Sequence, residues 1–284
     1  MNCVELQQVS LAVDGRQYLD GASLTVAVGE SVVIAGLPGC GKSFVPRLIL
    51  GLPGMDNEQV SLQGEVLVSG ASMSALSPAE LQALRPRMGS IMRDGGLIEI
   101  LDIRANVALP LTYHYRDLLG PAQIQVRVDA VLDDLQLTHL GAPGTRPIAL
   151  NREERIYVSL ARALVCEPFL LLLDEPCAGL SPGSASRLCK HVFTYEPYFV
   201  PPLPDRPVPA AVNGLTRLVT TVNLGPYLDS ADRFLLMWDG RFEDLGDRAA
   251  VLGSTDDRVR QLLDSRPETS TDRERETLAE PVHG

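Results

Sequence analysis

Residues 32–48 read VVIAGLPGCGKSFVPRL, and this stretch decides the fold. A short apolar run ends at Gly36. Gly41, Lys42 and Ser43 come after four intervening residues, and an apolar pattern with helical spacing follows. The spacing G-x-x-x-x-G-K-S between a strand and a helix is that of a phosphate-binding P-loop. Backbone N–H groups close round a polyphosphate only where side chains leave room, which is the use of Gly36, Gly39 and Gly41. Leu37, Pro38 and Cys40 complete the loop. The helix behind it adds the positive end of its dipole. Lys42 is placed for the β- and γ-phosphates of a nucleotide, and the Ser43 hydroxyl for Mg²⁺. Cys40 has two readings: a thiol activated at a helix N-terminus, which would make the loop redox-sensitive, or a small residue that simply fits.

Working outward, the chain has 284 residues and can bury a full core as one large domain or two small ones. A net charge of −11 with no basic stripe argues against nucleic acid as a partner. No run of 18 or more apolar residues is present, so a membrane-spanning helix is not expected. The opening MNCVELQQVS lacks the layout of a secretory signal. Cys3, Cys40, Cys166, Cys177 and Cys189 form no CxxC pair and no metal spacing, which suits a reducing, cytoplasmic compartment.

Upstream, VELQQVSLAV, the turn DGRQ, ASLTVAV, the turn GE and SVVIAG read as antiparallel strands feeding the loop. GEVLVSG (64–70) reads as a further short strand. Ser77-Pro78-Ala79-Glu80 is a capping box with proline at the first helical position, predicting a helix that runs towards Arg85 and stops before Pro86. Ile124, Val128, Val131, Leu132 and Leu135 mark an amphipathic helix, and another spans about 152–165. The proline-dense segment 197–209 reads as an inserted surface loop, either plain or partner-docking. Residues 215–222 and 234–238 read as the last two core strands, and the polar stretch from Arg266 as a disordered tail.

Between these lies Phe169-Leu-Leu-Leu-Leu-Asp174-Glu175-Pro176. A continuous aliphatic strand that ends in acids is what a buried parallel strand carrying active-site carboxylates looks like. Asp174 would hold Mg²⁺ through water, and Glu175 is the natural general base for an attacking water.

The order of elements resembles the ATP-binding subunits of ABC transporters, over roughly residues 3–264. Supporting motifs are Ala161-Arg162-Ala163-Leu164 before the second acidic strand, and ADR at 231–233 followed by DGR at 239–241. NVALPL at 106–111 and DDRVRQLLD at 256–264 resemble the ATPases of Mla-type lipid transporters, which work with MCE proteins. The resemblance implies an α/β P-loop NTPase fold. Its RecA-like parallel-sheet core would carry an N-terminal antiparallel β subdomain and an inserted α-helical subdomain at about 94–165. The ATPase domain would span 1–265, with the tail at 266–284. It also implies ATP and Mg²⁺ as cofactors and a head-to-tail pair with a second ATPase chain. An integral-membrane permease and an MCE-type protein would be the further partners, with the chain on the cytoplasmic face of the inner membrane.

Matching the family's motifs position by position exposes departures. The signature LSGGQ becomes Leu150-Asn151-Arg152-Glu153-Glu154, so both glycines are gone and two carboxylates face a polyanion, though Asn151 retains a donor. The Q-loop glutamine becomes Arg93, which has no acceptor and would either repel the metal or clamp a phosphate. The switch histidine becomes Val222, leaving Thr221 or Asn223 as substitute donors, and the D-loop aspartate becomes Ser181. The aromatic that stacks on adenine has no plain counterpart; Leu11 and Val13 lie near its place, and Tyr18 is the nearest candidate. The reading at this level is an ATP-binding transport subunit with weak or absent hydrolysis, or a non-catalytic nucleotide-dependent scaffold. A soluble ABC protein of DNA repair or translation fits poorly, since the chain has one ATPase unit and no long coiled-coil insertion.

Overall fold

Four consecutive apolar residues, Val32 to Ala35 in the strand Ser31–Ala35, are fully buried because both faces of their strand are covered. The computed structural model that shows this describes residues 1–52, 59–93, 95–196 and 214–264. The expected proline-dense loop and the C-terminal tail lie outside the described residues.

The chain opens with an antiparallel hairpin, β1 (Asn2–Val13) and β2 (Arg16–Ala27). Its turn is Asp14-Gly15, both at positive φ, the residue pair that a tight hairpin turn of primed type demands. Then come β3 (Ser31–Ala35), the glycine loop, and a six-residue α1 (Phe44–Ile49). β4 (Val60–Val68) and β5 (Ala71–Ser72) complete the four-stranded antiparallel sheet in the order β2-β1-β4-β5. The strand Ser31–Ala35, which the antiparallel set feeds, lies in a second, mainly parallel sheet, as the P-loop fold predicts.

α2 (Pro78–Leu84) starts at the expected capping box: Ser77 Oγ accepts from Glu80 N, and Glu80 accepts from Ser77 N. β6 (Met88–Ile91) follows, then α3 (Ile103–His114), α4 (Pro121–Asp134) and α5 (Arg152–Leu164), which pack on one another. β7 (Leu170–Asp174) leads to α6 (Pro182–Thr194), β8 (Thr216–Thr221) and β9 (Arg233–Trp238). One more strand, β10 (Arg241–Gly246), lies beyond the two expected as the last of the core, followed by α7 (Arg248–Leu252) and α8 (Asp257–Asp264).

The second sheet has the order β10-β9-β3-β8-β7-β6, parallel except for β10. Side chains alternate across it. Val32, Ile34, Leu170 and Leu172 join the core shared with the antiparallel sheet, while Val33, Ala35, Leu171 and Leu173 face the helices. β8 lies between β3 and β7, so the loops after β3 and β7 open at the same sheet end, the place where such sheets bind ligands.

Candidate nucleotide site

The three glycines of the loop are glycines for different reasons. A Cβ on Gly36 would lie 2.7 Å from the Met237 carbonyl oxygen and 2.9 Å from Cys40 Sγ. One on Gly41 would lie 2.8 Å from the Tyr18 ring, and Gly41 also has φ +99°. Gly39 has open space but φ +77°, a backbone shape that other residues adopt only with strain. The amides of Gly39, Gly41, Lys42 and Ser43 donate to no described residue, whereas Cys40 N turns back to Leu37 O at 3.3 Å. Cys40 is half-buried, its sulfur packed inside the loop and 3.9 Å from Lys42 Nζ.

Lys42 is buried. Its ammonium donates to Gly36 O (2.9 Å) and Leu37 O (3.0 Å) and lies 3.7 Å from Glu175 Oε1. A buried lysine needs such partners to remain charged. Ser43 Oγ donates to Asp174 Oδ1 at 3.1 Å. A hydroxyl beside a carboxylate fits Mg²⁺, which takes one or two protein oxygens together with substrate phosphates. Among the described residues no cluster of three His, Cys, Asp or Glu side chains would hold a metal unaided.

Glu175 follows β7 at φ +51°, strained for a residue with a Cβ and typical of functional positions. Thr220 O receives its amide at 2.9 Å, and its Oε2 accepts from Val222 N at 3.2 Å. Burial pushes the Glu175 carboxyl above its ordinary pKa, while Lys42, the Val222 amide and the more distant Arg93 guanidinium pull it back. Val222 therefore meets the acid through its main chain. Of the two substitute donors expected beside it, the Thr221 hydroxyl donates to Asn223 O at 3.1 Å, while Asn223 accepts from Gly225 N through Oδ1 at 2.9 Å. Of the candidates for a nucleobase platform, Leu11 and Val13 are core residues, while the Tyr18 ring packs on Gly41 and lies 4.5 Å from the Phe44 ring.

A second group gathers where α5 and α6 begin. Asn151 Oδ1 accepts from Glu154 N at 3.0 Å, and Glu154 Oε2 accepts from Asn151 N at 2.8 Å. Glu153 accepts from Ser184 Oγ (2.6 Å) and Arg187 (2.9 Å), and these partners hold its carboxyl below the usual range. Arg152 Nε donates to Ala178 O at 2.6 Å and lies against Gly179. Ser181 caps α6 by accepting from Ser184 N.

The sequence profile of the ABC transporter family matches residues 19–178, more than half of the chain. The chain belongs to that family. The intermembrane phospholipid transport ATP-binding protein MlaF of Escherichia coli K12 is 29% identical over 263 residues, covering 93% of this chain and 89% of its own. The methionine import ATP-binding protein MetN of Caulobacter vibrioides is 33% identical over 187 residues, covering 65% and 53%. Among solved structures, a dimeric ATP-binding cassette in a post-hydrolysis state, bound to ADP and Pi, has a TM-score of 0.69 at 24% identity, covering 84% of this chain and 96% of its own. A nucleotide-free ATP-binding cassette has a TM-score of 0.69 at 20% identity, covering 93% and 100%. These likenesses establish the fold as that of an ABC cassette. No helix among the described residues is long and apolar enough to cross a membrane.

For an ABC subunit the second group changes the reading of the altered signature. Asn151 and Glu154 stand where the family's signature has Ser and Gln, and they form a capping box as S-x-x-Q would. The helix start is capped in that manner, with Arg152 and Glu153 between the two capping residues. Asn151 caps the helix through its Oδ1, which leaves its Nδ2 amide as the donor the sequence predicts. The two carboxylates are also not loose charges, since each has partners within the chain. Asn151→Ala is expected to cost about 1 kcal/mol of stability, measured by urea unfolding, with no change in the nucleotide affinity of the P-loop.

Sequence reasoning missed four contributors. Thr220 Oγ1 donates to Asp174 Oδ1 at 2.6 Å. Arg162 donates to Gly96 O (2.6 Å) and Gly95 O (2.7 Å), and Ser159 Oγ to Gly95 O (2.8 Å), fixing the loop that carries Arg93. Asn106 is buried and holds Ile98 O, Leu101 O and Asp102 O. Arg162 and Asn106 lie inside motifs quoted for family likeness, which was the available signal. Thr220 had none beyond a polar residue in an apolar run.

Proposed function

We propose that this ABC subunit binds Mg·ATP at the P-loop, hydrolyses it slowly, and serves a transporter of lipid or another hydrophobic cargo. The observation that carries binding is the loop itself: four amides without an acceptor among the described residues lie beside the Lys42 ammonium. In this reading residues 36–43 hold the polyphosphate, and Ser43 and Asp174 would hold Mg²⁺. When bound, the ion neutralises phosphate charge. Glu175 acts as general base once Lys42 turns to the phosphates and releases it. The similarity to MlaF along 93% of the chain supports the lipid cargo. By the same analogy, the chain pairs with a second ATPase chain and docks on a membrane permease from the cytoplasmic side, with an MCE-type protein in the complex.

Slow hydrolysis follows from the chemistry of four positions. Arg93 offers no acceptor to a metal or a water, Val222 supplies only a fixed amide, and Arg152 and Glu153 fill the space of the signature glycines. Losing one group aimed at transition-state charge costs about 10²–10³ in rate, but groups that act as a unit do not multiply. Arg93→Gln is therefore expected to raise phosphate release by no more than about tenfold. A drop in release after that exchange would mean that Arg93 clamps phosphate, and would overturn the assignment.

A second reading, a nucleotide-dependent scaffold without turnover, is favoured by the self-contained signature group. Isothermal titration with Mg·ATP alongside steady-state phosphate release, with the chain alone and with its permease, separates the two. Binding with slow release supports the subunit, binding with none supports the scaffold, and no binding removes both.

A further inference from the structure

Asp174 is a buried carboxylate at the end of an aliphatic strand, and its Oδ1 takes two hydroxyls, Ser43 at 3.1 Å and Thr220 at 2.6 Å. Thr220 lies directly across from it in the β7–β8 ladder, so the backbone register delivers the hydroxyl. It is fully buried and follows Leu218 and Val219, in a place where a valine of the same shape would satisfy packing. A buried hydroxyl is kept there at a desolvation cost unless its bond to the carboxylate has a use. The second oxygen, Oδ2, accepts no hydrogen bond from a described residue.

We infer that Thr220 is a positioning residue for the Mg²⁺ site, holding Asp174 in one rotamer so that Oδ2 stays available to the ion. The assignment rests on the nucleotide reading above. Ser43 alone is a poor holder, because its hydroxyl is itself a candidate ligand and its oxygen is drawn to the cation. Thr220 is on a different strand and keeps its bond when the ion arrives. The same residue fixes the neighbouring acid, since its carbonyl receives the Glu175 amide at 2.9 Å. Its side chain and its main chain thus serve adjacent carboxylates independently, and a side-chain exchange addresses Asp174 alone.

The test uses the full chain and measures ATP affinity by isothermal titration, first in EDTA and then across an Mg²⁺ series. Thr220→Val keeps the shape and removes the hydroxyl. It is expected to leave the affinity in EDTA unchanged and to reduce the Mg²⁺-dependent gain about tenfold, the worth of one hydrogen bond to a charged group. Thr220→Ser restores the hydroxyl and should recover the gain to within about twofold. Thr220→Cys, with a weak donor of similar size, should fall between the two and replaces the valine variant if that one does not fold. An unaltered Mg²⁺ gain in Thr220→Val or Thr220→Cys overturns the assignment. So does an equal loss of affinity with and without Mg²⁺, which marks a merely structural role. If the unsubstituted chain binds no ATP, the nucleotide reading fails and this one with it. If it binds ATP and the exchange at 220 has no effect on the gain, only this one fails.

Discussion

Lys42→Ala is expected to weaken Mg·ATP binding by at least about a hundredfold and to destabilise the fold as well. The first effect follows from losing a cation with several charge-assisted bonds to phosphate oxygens. The second follows from the resting geometry. Lys42 Nζ lies 3.7 Å from Glu175 Oε1, both side chains are buried, and burial already raises the Glu175 pKa. Removing one member of a buried pair leaves an uncompensated charge, worth roughly 3–5 kcal/mol at most. A carboxyl whose folded pKa is raised binds its proton more tightly when folded. Its contribution to stability therefore falls as pH rises from the ordinary carboxylate value through the folded one, then levels off. Lys42→Ala should accordingly be more stable at pH 5 than at pH 8.

The double exchange Lys42→Ala with Glu175→Gln separates the two effects. It is expected to recover most of the lost stability and to flatten the pH dependence, while ATP affinity stays low. Glu175→Gln alone keeps an acceptor for the Val222 amide but leaves the buried Lys42 ammonium with only the Gly36 and Leu37 carbonyls, so it should be less stable than the parent at pH 8 and still bind ATP. Phosphate release should fall by about 10²–10⁴. Thermal scans at both pH values and titration of nucleotide check each arm. Normal ATP affinity in Lys42→Ala would remove the P-loop assignment, and unchanged release in Glu175→Gln would remove the general base.

The second large effect is structural. Arg217, on the buried strand β8, donates from Nε to Val192 O (2.7 Å), from Nη1 to Leu215 O (2.8 Å) and from Nη2 to Tyr195 O, and lies 3.5 Å from Glu196. It is 3% exposed. Arg217→Met keeps an aliphatic stem but leaves three carbonyls at the end of α6 and the start of β8 without their donor. At about 1–3 kcal/mol for each unsatisfied buried group, a total of roughly 3–5 kcal/mol is expected after partial relaxation. Urea unfolding reads this directly, and a loss below about 1 kcal/mol would contradict the clamp.

What the sequence made legible was local chemistry. The glycine loop, the acidic end of β7 and the capping box at Ser77 are short patterns whose residues act on near neighbours, and each folds as its pattern dictates. Contacts between distant segments were not legible. Thr220 reaches Asp174 only through the strand order β3-β8-β7, and Arg162 reaches Gly95 only when α5 packs beside β6. β10 escaped because RFEDLG is a solvent-facing edge strand with charges in place of alternation. α3 carries Pro110 in its interior, which breaks the pattern that announces a helix. Val222 is the sharpest case. It meets the acid Glu175 through its backbone amide, and a comparison of residue types has no means to register that.

The Arg217 clamp has one more consequence. Tyr195 and Leu215 are tied to the same guanidinium, so the two ends of the interval 197–213 are moored a set distance apart regardless of what joins them. The end of α6 and the entry to β8 are therefore held side by side by one side chain, which seats the strand that carries Thr220 and Val222.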